Sequence, residues 1–188
     1  STLRQTLGDR TAPTPFLLVT PDTVQFNSES DYSLDTLTFS TVLDECLRHV
    51  HRRAELCRAC TQRREQANAL YRGDFLEQFG LSDADLFEQW LAQKREWLHR
   101  RACAVLRQLM MYCLRREKYK QACHYGWRNV ELDPGHEETH RQLMHILLLN
   151  GNRAAALAQY EQCRRWPACE LGIAPSDQTI APPNFTRW

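Results

Sequence analysis

The tetrad Arg107-Gln108-Leu109-Met110 returns as Arg141-Gln142-Leu143-Met144, an offset of 34 residues. Ala122 returns at the same offset as Ala156, and Asp133-Pro134 stands between the two copies, where one unit should end and the next begin. A fixed period in this range marks a structural unit that cannot bury its apolar face alone, so the copies must stack on one another and on whatever precedes them.

Within each copy the apolar positions fall at helical spacing. Ala102, Val105, Leu106, Leu109, Met110 and Cys113 keep an i, i+3, i+4, i+7 stripe. After a polar break at Arg115 to Lys118, Tyr119, Ala122, Cys123, Gly126, Trp127 and Val130 resume it. The second copy has His140, Leu143, Met144, Leu147 and Leu148, then the stop at Asn150-Gly151-Asn152, then Ala156, Leu157, Tyr160 and Cys163. Two helices per unit at this period predict tetratricopeptide-like helical hairpins, hence a mostly α chain, an α-solenoid in outline.

Ahead of the repeats, Leu3 to Gly8 reads as the end of a helix stopped by glycine, and a Pro-rich spacer follows. Phe16 to Thr20, a Pro21-Asp22 turn and Thr23 to Phe26 then predict a small β-hairpin. From Leu34 to Leu70 the chain is helical, with Leu37, Phe39, Val42, Leu43, Leu47 and Val50 on one face and a second helix ending near Tyr71. Tyr71 to Leu76 reads as a turn into a short helix closed by Gly80. Ser82 offers an N-cap with Asp85 in a capping box and a Leu81–Leu86 staple, and one long helix follows from Asp83 to Arg116, with a bend expected at Arg101. Trp90, Trp97 and Trp127 are expected in the core. Trp166-Pro167 predicts the end of the last helix, and Pro182-Pro183 an extended tail carrying Phe185 and Trp188.

With 24 basic and 23 acidic residues, the chain lacks the charge excess of a nucleic-acid binder taken as a whole. It has no apolar run long enough to cross a membrane and no secretory signal, which predicts a cytoplasmic protein. Its opening at Ser1 suggests a piece of something longer.

Several elements in order resemble the bacterial transcriptional activator domain of SARP-type regulators. They are Tyr71-Arg72-Gly73-Asp74-Phe75-Leu76, Trp90 before Arg95, Leu132-Asp133-Pro134, Glu137-Glu138 with His140 to Met144, Gly151 through Ala156-Leu157 to Tyr160, and Glu170-Leu171-Gly172 with Pro175. The resemblance implies that residues 1–38 are the C-terminal end of a winged helix-turn-helix, with the hairpin as its wing and most of the DNA-reading body absent. Residues 39–165 would be the activator domain and 166–188 a tail. It further implies a non-enzymatic transcription activator that docks on other domains, a second protomer in a homodimer, or RNA polymerase. Arg4 and Arg10 would meet the DNA backbone. A stand-alone repeat adaptor binding a peptide or protein partner, unconnected to DNA, is the alternative.

The sharpest local cluster is Cys46, His49, His51, Cys57 and Cys60. Zinc takes four thiolate or imidazole ligands, and two helices can aim Cys46/His49 and Cys57/Cys60, each three residues apart, at one ion. One structural zinc is therefore expected, with plain reduced thiols as the competing reading. A redox role is disfavoured, because thioredoxin-like chemistry expects a strand-to-helix setting. The arginines from Arg48 to Arg64 read as a solvated face diluted by Glu55 and Glu65. No nucleophile elbow, glycine-rich phosphate loop or carboxylate pair points to catalysis.

Overall fold

The computed structural model describes residues 2–9, 11–51 and 56–170, so Arg10 and the tail with Phe185 and Trp188 lie outside the described residues. Seven helices and a two-stranded sheet follow in the order α1 (Thr2–Thr6), β1 (Leu17–Val19), β2 (Val24–Phe26), α2 (Asp35–Arg48), α3 (Arg58–Leu70), α4 (Asp85–Arg115), α5 (Tyr119–Leu132), α6 (Glu137–Leu149) and α7 (Arg153–Glu170). The chain divides into two compact units, Ser1–Thr38 and Phe39–Trp188.

In the first unit the expected hairpin forms, with Leu17 opposite Phe26, Leu18 opposite Gln25 and Val19 opposite Val24. Its turn closes through Thr20, whose N–H donates to the Thr23 carbonyl at 2.9 Å while its hydroxyl accepts from the Thr23 N–H at 3.0 Å. Gly8 stops α1 with φ at +65°, a left-handed conformation that glycine adopts without a Cβ clash. The organising side chain is the buried Asp9, which accepts from Arg4 Nε at 2.5 Å and from the N–H groups of Phe16 and Leu17. Burial alone would raise its pKa, but the Arg4 hydrogen bond and these two amides outweigh that and hold the carboxylate low.

In the second unit the helices pack on their chain neighbours, α3 on α4, α4 on α5, α5 on α6 and α6 on α7. The predicted long helix is one uninterrupted element of 31 residues without a break at Arg101. Its stripe of Leu98, Ala102, Val105, Leu106, Leu109, Met110 and Cys113 is buried as the periodicity required. At the seam between repeats, Gly126 on α5 leaves room for its neighbours. A Cβ built there would stand 2.9 Å from Leu143 Cδ1 of α6 and 3.1 Å from Met110 Sδ of α4.

The period is also written in the turns. After α4, Glu117 N–H donates to Leu114 O at 3.0 Å and Lys118 N–H to Cys113 O at 2.9 Å. After α6, Gly151 N–H donates to Leu148 O at 2.9 Å and Asn152 N–H to Leu147 O at 2.8 Å. These are two Schellman caps at equivalent repeat positions, and both pivot residues are left-handed, Glu117 at φ +57° and Gly151 at +76°.

Several expectations are corrected. Leu37, Leu47 and Val50 are exposed, Val50 at 93%, because α2 ends at Arg48 and only Phe39, Val42, Leu43 and Cys46 of this helix face inward. Ser82 does not cap α4. Asp83 turns the chain with φ +63°, the helix starts at Asp85 after Ala84 with no side-chain cap, and Leu86 is 83% exposed, so no staple forms. The Leu81 N–H is taken instead by Glu88 Oε1 at 2.7 Å. Tyr71 to Gly80 is a run of turns, not a helix, held where Arg95 donates to the carbonyls of Phe75 at 2.7 Å, Phe79 at 3.2 Å and Leu76, and Arg128 to that of Tyr71 at 2.5 Å. Trp97 and Trp127 pack against the core, but Trp90 is 48% exposed and meets Phe75 and Phe87 at the surface. Helix α7 continues through Pro167 to Glu170, since a proline removes one hydrogen bond without forbidding helical φ.

The buried His140 links α6 to its surroundings. Its Nε2–H donates to Pro134 O at 2.8 Å and its Nδ1 accepts from Gln159 Nε2, so the neutral ring has both nitrogens occupied. Burial holds its pKa below the ordinary value, outweighing the Pro134 carbonyl, Asp133 and Glu137. The unfolded chain therefore binds this proton more readily than the native one, and the native advantage is complete above the unfolded value of about 6.5 and lost as pH falls below it through the lower native value.

Two results follow from these packing features. In urea titrations Glu117→Gly should stabilise the chain and Gly151→Ala destabilise it, each by about 0.5–1 kcal/mol, because only one of the two equivalent pivots has the residue its φ prefers. Stability should also fall between pH 7.5 and 5.5, and His140→Asn should flatten part of that fall.

Candidate metal centre

The α2–α3 junction gathers the cysteines and histidines singled out in the sequence. Cys46 lies in the last turn of α2, and His49 follows directly, its N–H still closing the helical turn onto Glu45 O at 3.0 Å. Cys57 is the N-cap residue of α3 and Cys60 sits in its first turn, fully buried. Arg63 of α3 reaches Glu45 of α2 at 2.7 Å, and Arg101 of α4 reaches Asp44 of α2 at 2.6 Å, fixing the helices that carry the donors. Neither ion pair is announced by the sequence pattern.

His49 Nδ1 lies 3.1 Å from Cys60 Sγ and 3.5 Å from Cys57 Sγ. Two such donors on one tetrahedral zinc, with Zn–S about 2.3 Å and Zn–N about 2.0–2.1 Å, stand about 3.6 Å apart, so each sulfur stands near ligand spacing from the His49 nitrogen. His51 Nδ1 donates to the carbonyl of His49 and therefore keeps its lone pair on Nε2. The ligand atoms of His49, His51 and Cys60 all lie within 4.8 Å of one another, a group that could hold a metal ion. Cys46 and Cys57 both stand outside that group, the buried Cys46 thiol donating to Cys60 O at 3.6 Å and Cys57 joined to it only through His49.

The two cysteines of the Cys-x-x-Cys are unequal. The N–H of Cys60 at the start of α3 holds the half-buried Cys57 thiol below the usual cysteine range, although its side chain makes no cap hydrogen bond. Burial pushes Cys60 up to about 11, a cost that a bound cation would remove by taking the thiolate.

Of the two residues predicted to contact DNA, Arg4 is engaged by Asp9 and Arg10 lies outside the described residues. One further constellation went unforeseen. Cys103 Sγ lies 3.6 Å from His99 Nε2, and the Tyr71 hydroxyl sits 3.4 Å from His99 Nδ1 while donating to Asp74 Oδ1 at 3.0 Å. The order Cys–His–Asp resembles a nucleophile's relay, but Cys103 is buried and burial pushes its thiol up to about 11, which leaves it the wrong protonation state for attack.

The family profile described as bacterial transcriptional activator domain matches residues 35–182. The chain belongs to that family. No curated protein and no solved structure matches it. The domain belongs to bacterial transcriptional activators and is not known to be catalytic. Among the described residues no helix is long and apolar enough to cross a membrane.

Proposed function

We propose that this bacterial transcriptional activator domain is the non-enzymatic docking and activation part of a cytoplasmic DNA-binding regulator. The observation that carries the reading is the family match over residues 35–182, which includes every helix of the repeat stack. Stacked hairpins of this kind present extended surfaces to protein partners, here another domain, a second protomer or RNA polymerase. In this reading residues 1–38 are the end of a winged helix whose recognition body precedes them. Arg4 and Arg10 then add backbone contacts to DNA, Arg4 with the guanidinium nitrogens not used by Asp9.

The cation at the α2–α3 junction is, in the same reading, one structural zinc. Cys57, Cys60 and His49 supply three ligands and His51 the fourth through Nε2. Cys46 braces Cys60 from below without ligating. The distances of both sulfurs from His49 Nδ1 and the grouping of His51 with His49 and Cys60 support this set. The ion would neutralise two thiolates and clip α2 to the start of α3, and it has no part in any reaction.

Fused to a DNA-binding domain of known operator preference, the chain should raise transcription from a promoter carrying that operator several-fold in a reconstituted bacterial system. No stimulation, together with no binding to RNA polymerase or to itself, would sink the activator reading. Native mass spectrometry should find one zinc per chain, kept in Cys46→Ala and lost in His49→Ala and Cys60→Ser. Loss in Cys46→Ala with retention in His51→Ala would exchange the fourth ligand.

A further inference from the structure

The Cys57/Cys60 pair combines features that a purely structural clip does not need. Cys57 is half-buried at the very start of α3, while Cys60 is fully buried one turn further in. Both sulfurs lie against the same His49 nitrogen, Cys60 at 3.1 Å and Cys57 at 3.5 Å. A reachable sulfur standing over a hidden one is the arrangement of an attacking and a resolving thiol. Four further cysteines among the described residues are placed differently. Cys103, Cys113, Cys123 and Cys163 are buried in the helix stack, where an oxidant in solution does not reach them.

The local geometry permits the bond. Residues three apart on a helix have Cβ atoms about 5–6 Å apart, whereas a disulfide requires about 3.8 Å. Cys57 is the N-cap, with an extended φ of −72° and ψ of 108°; its carbonyl accepts from the Thr61 N–H at 3.0 Å, so the closure comes from rotation of its side chain on a backbone that is already non-helical.

We infer that the α2–α3 junction is a peroxide-sensitive clip, in which oxidation of Cys57 and Cys60 to a disulfide releases the cation and uncouples α2 from α3. The inference rests on the metal reading above. The Cys57 thiolate attacks hydrogen peroxide. An S–O bond forms and the O–O bond breaks, the sulfur is oxidised by two electrons to a sulfenic acid, and the departing hydroxide becomes water by taking up, through solvent, the proton the Cys57 thiol gave up on ionising. The Cys60 sulfur then attacks the sulfenic sulfur. The S–S bond forms, the S–O bond breaks, and the second hydroxide leaves and is protonated. One peroxide and two thiols thus give one disulfide and two waters. A disulfide sulfur carries no thiolate charge, so two of the four donors are gone and His49 and His51 alone cannot hold the ion.

The zinc-loaded, reduced chain treated with a few equivalents of hydrogen peroxide tests this, with released zinc read by the chromogenic chelator 4-(2-pyridylazo)resorcinol and disulfides by peptide mapping. The expected result is one zinc released per Cys57–Cys60 disulfide, reversed by dithiothreitol when zinc is present. Retention of zinc under peroxide, or a disulfide mapped to Cys46–Cys60, would overturn the inference. Should the chain neither contain nor take up zinc, the metal reading alone falls, and the metal-free chain is mapped in the same way. A Cys57–Cys60 disulfide there supports the thiol pair, and its absence there too overturns it. Cys57→Ser should form no such disulfide, while its circular dichroism reports whether the helix stack remains folded.

Discussion

The stack depends on one close approach, that of α4 and α6 onto α5 at Gly126. A single missing Cβ lets Leu143 and Met110 occupy space that any other residue would contest, and both side chains are buried there. Helices packed so tightly tolerate little change of volume, since interiors are filled to the density of molecular crystals. The cost is a glycine inside a helix, about 1 kcal/mol relative to alanine in an exposed position. Here the interhelical contact outweighs it, because alanine would gain propensity only by displacing two buried neighbours.

At the other end, where Phe39, Val42 and Leu43 of α2 join the core, polar devices add to apolar volume. Glu45–Arg63 and Asp44–Arg101 tie α2 to α3 and α4 through partly exposed ion pairs, each worth little by itself. Arg95 and Arg128 gather the carbonyls of the Tyr71–Gly80 turns, standing in for the regular backbone pairing that this segment lacks. A junction built from such modest contacts is where a bound ion has the most to add, and the donor cluster is found there.

Much of this architecture was legible in the sequence, and the pattern of failures is physical. Periodicity found the buried stripe of α4, the two helical hairpins and the β-hairpin, because side-chain spacing and turn chemistry are local properties. The same periodicity placed Leu47, Val50, Leu86 and Trp90 inward and was wrong, since spacing tells which side of a helix is apolar and not whether another element arrives to cover it. The cap at Ser82 failed for a related reason: the left-handed Asp83 redirects the chain after the signal has been given. For the candidate site, the Cys-x-x-Cys and the paired histidines announced the donor types. Their convergence on His49 Nδ1, and the separate position of Cys46, depend on how α2 meets α3, which no local pattern encodes.

The order of contacts along the second unit carries a mechanical consequence. Each helix leans chiefly on the one before and the one after it, from α3 to α7. A pull applied to the C-terminal end would therefore peel α7 from α6 and then α6 from α5, hairpin by hairpin, instead of rupturing the fold at one threshold. By the same logic a disturbance at the α2–α3 junction reaches the far helices only by relay through α4 and α5. A partner gripping the distal end of the solenoid would feel that disturbance last and most attenuated.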